Sequence, residues 1–140
     1  MAGRLVETTP NWAPFIIRLA LGTIMFAHGA QKIFGAWGGK GFSAWLASPA
    51  PFDLQPAWAW MAAAAFSEFL GGALIMLGLF TRVGALFVAI VMAVAIFGVH
   101  WPRGFFINSG GFEFPLALLA MAVSLLFTGG GMASIDSQMQ

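Results

Sequence analysis

WAWMAAAAFSEFLGGALIMLGLF-TR-VGALFVAIVMAVAIFGV, residues 58–99, is the stretch that decides the fold. Two apolar runs, Trp58 to Phe80 and Val83 to Val99, are separated only by Thr81 and Arg82. The first carries a single charge, Glu68, and the second carries none. A hydrocarbon core of ~30 Å is crossed by about 20 residues of helix. Backbone in lipid must satisfy its own hydrogen bonds, so both runs are read as spanning helices. So short a connection makes them antiparallel neighbours.

Working outward, two further apolar runs flank this pair, Ala13 to Phe34 and Phe112 to Phe127. The sequence therefore predicts one all-α domain over residues 1–140. Its architecture is a four-helix membrane bundle with spans at about 13–34, 58–80, 83–100 and 112–127. Composition agrees. The chain is 60% hydrophobic and 8% charged, with mean hydropathy +0.88, whereas soluble domains carry about 25% charged residues. Lipid has to be the solvent for much of its surface. A net charge of +1 gives no case for a nucleic-acid partner. The absence of cysteine excludes disulfides, thiolate metal sites and thiol catalysis on this chain.

The longest connection, Gly35 to Ala57, holds Phe42, Trp45 and Leu46 at i, i+3, i+4 spacing, which predicts a short interfacial helix after the first span. The Gly129-Gly130-Gly131 run predicts that the tail leaves the membrane. No apolar leader with a cleavage site precedes the first span, so that span is expected to be retained as an anchor. Four spans put both termini on one side. Arg4, Arg18 and Arg82 lie there, against Lys32, Lys40 and Arg103 opposite. Setting Lys32 aside as interior leaves the terminal side ahead by one, which points to cytoplasmic termini.

Ionisable residues inside these spans are the functional signal. Each charge at mid-bilayer costs about 2.5–3.5 kcal/mol on insertion scales, so such groups face the bundle interior and pair there. Helix rise of ~1.5 Å per residue sets their depth. Counted from the side opposite the termini, His28 lies roughly 9 Å in from Phe34 and Glu68 about 15 Å in from Trp58. Lys32, His100 and Glu113 stand near the ends of their spans on that side. These five are expected to converge on one cavity. Arg18 sits towards the termini, with a side chain long enough to reach for Glu68, and Glu68 is expected to pair with Arg18 or His28.

Each residue also has a plainer reading. Arg18 and Lys32 can snorkel to the two interfaces. His28 can be a hydrogen-bonded packing residue, His100 a rim residue beside Trp101, and Glu113 a carboxylate favoured at a helix start. Trp12, Trp37, Trp45, Trp58 and Trp101 lie near span ends, as an aromatic belt does. Gly22 with Gly29, Gly71 with Gly78, and the Ala85-Ala89-Ala93 ridge permit close helix approach. No helix carries a pair of histidines or carboxylates at ligand spacing, so no metal is expected, and the unequal depths of His28 and His100 argue against haem.

Four segments resemble the DoxX family of small four-helix membrane proteins: Arg18-Leu-Ala-Leu-Gly22 running on to His28-Gly-Ala-Gln-Lys32; Glu68-Phe-Leu-Gly-Gly72 with Gly78-Leu-Phe-Thr-Arg82; His100 with Gly110-Gly-Phe-Glu113; and Gly129-Gly-Gly131 with Ser134-Ile-Asp136. The resemblance extends from about Phe15 to Asp136. It implies the four-helix fold. By association it also implies a role in quinone-linked redox chemistry, since family members are tied to thiosulfate oxidation and to membrane complexes handling oxidative stress. Distant relatives are assembly factors or cargo receptors.

The expectation is therefore an inner-membrane component of a quinone-linked redox system. His28, Lys32 and His100 would hold a quinone head group, while Arg18, Glu68 and Glu113 would serve as proton relay or structural ion pair. Its partners would be the lipid bilayer and either a redox enzyme or a second copy. The competing expectation is a non-enzymatic accessory subunit or assembly factor, with the polar residues as structural glue.

Overall fold

The computed structural model describes residues 2–140. Seven α-helices follow one another: α1 (Ala2–Val6), α2 (Ala13–Phe34), α3 (Phe42–Leu46), α4 (Ala57–Leu77), α5 (Thr81–Ala95), α6 (Glu113–Thr128) and α7 (Ile135–Met139). No strand occurs among the described residues. Four of the helices form the bundle, and α3 is the expected short helix after the first span.

Three helices are long and apolar enough to cross a membrane: α2, α4, and α5 together with its continuation to Arg103. That continuation is a wider π turn over Ile96–His100 followed by a 3-10 turn over Trp101–Arg103. α6 has only 16 residues, about 24 Å of helix, so the fourth apolar run is shorter than a full hydrocarbon core.

One expected boundary is wrong. α4 stops at Leu77 rather than Phe80, and Thr81 and Arg82 are the first turn of α5 rather than a linker. The cause is Gly78, which takes the left-handed conformation (φ 67°) that closes a helix with little strain. The connection is therefore Gly78-Leu79-Phe80. Gly78 is also removed from the expected packing pair with Gly71, because a Cβ on it would meet the Arg18 guanidinium and Ser134.

α2 packs most extensively on α4, α5 packs on both α4 and α6, and α2 meets α6 along a thinner seam. The α2–α4 contact is backbone to backbone. A Cβ on Gly29 would lie 2.5 Å from the Phe69 amide nitrogen, and one on Gly72 would collide with the Phe26 amide. Leu21, Met25, Ile75, Val88, Leu118 and Leu125 fill the centre. Large apolar side chains point outward instead, Ile16 at 66% and Phe127 at 81% exposure among them. In water such a surface would aggregate; in a bilayer it faces acyl chains.

On the terminal side the chain corrects two more expectations. Arg18 is buried at 2% exposure and does not approach Glu68. Its five N–H groups go to five carbonyls. Nε donates to Ile75 O (2.9 Å), one terminal nitrogen to Gly130 O and Met132 O, and the other to Met76 O and Ala133 O. Arg18 thus satisfies the free carbonyls at the end of α4 and binds the tail, which packs against the terminal end of the bundle. Arg82 does the same for α6, donating to Leu126 O (2.9 Å) and Phe127 O (3.1 Å). With Arg18 interior as well as Lys32, Arg4 and Arg82 face Lys40 and Arg103. The basic residues are then even across the bundle and assign no orientation.

Candidate functional site

The opposite half of the bundle holds a second polar cluster, around an ion pair. Lys32, one turn beyond His28 on α2, places Nζ 2.5 Å from both Oε1 and Oε2 of Glu68 on α4. Glu68 is almost fully buried, with 4% of its side chain exposed against 20% for Lys32. The expected partner was Arg18 or His28. The spacing explains the outcome: α2 and α4 touch at Gly29, one turn from Lys32, and that contact brings the two side chains to a common level. The indole of Trp45, from α3, covers the ammonium 4.5 Å from its ring centre. Its Nε1–H is fixed on Met61 O at 2.6 Å.

A cavity of about 270 Å³ opens beside this pair. His28, Lys32 and Glu68 line it from α2 and α4, together with His100. Met25, Met92, Ala95, Phe114, Pro115 and Leu118 make its apolar walls, and Ile107, Gly110 and Gly111 close it from the loop between α5 and α6. A few polar groups thus stand in an otherwise apolar chamber, the usual character of a small-molecule site.

His100 is held by that loop. Its Nδ1 lies 2.7 Å from Gly110 O. A carbonyl only accepts, so Nδ1 carries the proton and Nε2 is left free, an acceptor when the ring is neutral and a donor when it is charged. His28 is exposed and lies across from Phe114, the ring centres 6.2 Å apart.

Four of the five residues expected to converge do line the cavity. Glu113 does not. Its carboxylate accepts from the Ile107 N–H at 2.7 Å, its own N–H donates to Phe105 O (2.8 Å), and Phe112 N–H donates to Gly104 O (3.0 Å). Glu113 is a staple of the covering loop at the start of α6. Sequence reasoning missed Trp45 as a partner of Lys32. It counted the indole with the aromatic belt, although the i, i+3 stripe of Phe42 and Trp45 already placed it on one face of α3.

The family is decided by the match of residues 13–101 to the DoxX model. The chain belongs to the DoxX family. The matched part of this DoxX protein holds His28, Lys32, Trp45, Glu68 and His100, and leaves α6 and the Arg18-bound tail outside it. An uncharacterized protein of Haemophilus influenzae (strain Rd) is 30% identical over 124 residues, covering 87% of this chain and 80% of its own length. No solved structure matches.

Proposed function

We propose that this DoxX protein is a quinone-binding component of a membrane redox system. The observation that carries the reading is the meeting of two histidines and a Lys–Glu pair on one apolar-walled cavity in a membrane bundle. The residues fit the group. Lys32 has three N–H donors and two acceptors on Glu68, which leaves one donor for a ligand carbonyl. His100 offers Nε2, and His28 stands at the rim. At about 270 Å³ the chamber lies just under the ~300–1,000 Å³ of common ligand pockets. It suits one substituted ring, with any long tail left outside.

Bound there, a quinone supplies reversible uptake of electrons and protons. The chain's own part is to hold the head-group oxygens with Lys32 and His100, exclude water with Met25, Met92 and Leu118, and pass protons through His28 and the Glu68 carboxylate. A partner redox enzyme would supply the electrons. The setting is the bacterial inner membrane.

Mass spectrometry of an organic extract from the detergent-purified protein tests this. Quinone is expected at a level comparable to the protein, and His28→Ala and His100→Ala should each reduce it without unfolding the protein. A preparation without quinone that co-purifies with one partner enzyme overturns the reading in favour of the accessory-subunit role.

A further inference from the structure

We infer that the cavity is loaded sideways, from the bilayer, through the seam between α2 and α6, with Phe114 and His28 as its doorposts and Trp45 as the seal on the aqueous side. The inference rests on the cavity being a ligand site, and it assigns the ligand's class: an amphiphile with a small hydrogen-bonding head and an apolar tail that remains among the acyl chains.

Packing locates the opening. Of the contacts that close the bundle, the α2–α6 seam is the thinnest. The exposed residues lining the cavity mark where it meets the outside, and they are His28 on α2, Phe114 on α6 and Ile107 on the connecting loop. Two of these face each other across the seam at 6.2 Å between ring centres, and the third is apolar. A mouth turned to water would be rimmed by the charges on that side of the protein. Lys40, Asp53, Arg103 and Glu113 all stay out of the lining.

The routes from water are occupied. Above Lys32 the Trp45 indole lies on the ammonium and is tied to the α4 backbone at Met61. Above His100 the loop is pinned by His100 to Gly110, by Gly111 N–H to Phe106 O (2.8 Å) and by Ile107 N–H to Glu113. A headgroup arriving from the aqueous phase would have to break one of these. One arriving from lipid has only to turn the Phe114 ring.

Cysteine chemistry tests the route without reference to any quinone, so its failure is separable from failure of the quinone reading. The chain has no cysteine, and Ala95→Cys or, as a second position, Met92→Cys puts a single thiol in the cavity wall. In proteoliposomes a membrane-partitioning maleimide is expected to label either variant, and a charged methanethiosulfonate supplied to both faces is not. Adding Phe114→Trp should slow the maleimide about tenfold, equivalent to ~1.4 kcal/mol on the access barrier. Adding Trp45→Ala should admit the charged reagent. Equal labelling by the charged reagent with Trp45 intact overturns the inference. So does indifference to Phe114→Trp, and so does a thiol that reacts only after unfolding.

Discussion

Glu68 and Lys32 hold each other in a place where neither is stable alone. Removing one partner of a buried pair strands the other and costs ~3–5 kcal/mol, whereas replacing both with apolar residues of similar volume is often neutral or stabilising. Glu68→Gln and Lys32→Met are therefore each expected to lower the detergent melting temperature strongly, and Lys32→Met with Glu68→Leu to recover most of it. On the proposed quinone-binding role, the recovered double variant should still have lost quinone, which separates the pair's structural part from its binding part. A double variant as unstable as the singles would refute this account. At this scale the sequence made Glu68 legible as a paired carboxylate, because a short acidic side chain at mid-span has no route to water. It did not identify the partner. Arg18, Met25 and Lys32 recur every seven residues on one face, and helix rise alone does not say that Arg18 would be consumed by backbone carbonyls.

The helices themselves were readable from hydropathy because lipid demands long apolar runs, and the bounds of α2 came out unchanged. The start of α5 was not readable, because it depends on a distant residue. Phe80, just before α5, provides no side-chain cap. Asp136 on α7 provides it instead, accepting from the amides of Phe80 (2.7 Å) and Thr81 (2.9 Å), while its own N–H donates to Gly78 O (2.8 Å). Asp136 is 1% exposed. Losing a cap of this kind costs about 0.5–2 kcal/mol. Asp136→Ala should accordingly lower the melting temperature and raise amide hydrogen exchange in the first turn of α5, with Glu7→Ala, an exposed site, as the neutral control. Exchange at Phe80 and Thr81 that is unaltered in the Asp136→Ala variant would discount the cap. A Gly-Gly-Gly run followed by Ser and Asp reads locally as an exit from the membrane, and the added role of Asp136 as a helix cap is visible only in the tertiary structure.

For the whole molecule, two polar layers divide the work. The terminal side is closed by Arg18, Arg82 and Asp136, each spent on backbone groups. The opposite side keeps its ionisable groups around a cavity. This division places the termini together, and single cysteines test it. Lys40→Cys and Gln138→Cys, both at exposed positions, should be labelled by an impermeant reagent from opposite faces of the membrane. Labelling of both from one face would rule out the bundle as described.

The contacts of Arg18 also impose an order on biogenesis. The arginine lies in α2, yet three of its five acceptors are Gly130, Met132 and Ala133, which are synthesised more than a hundred residues later. While translation proceeds, the guanidinium has at most the end of α4 to bind. The first span must therefore wait, with its charge in the translocon or at the lipid interface, until the C-terminal segment arrives. Nascent chains halted before residue 130 should remain crosslinkable to the insertion machinery through the first span, and release should coincide with emergence of the tail.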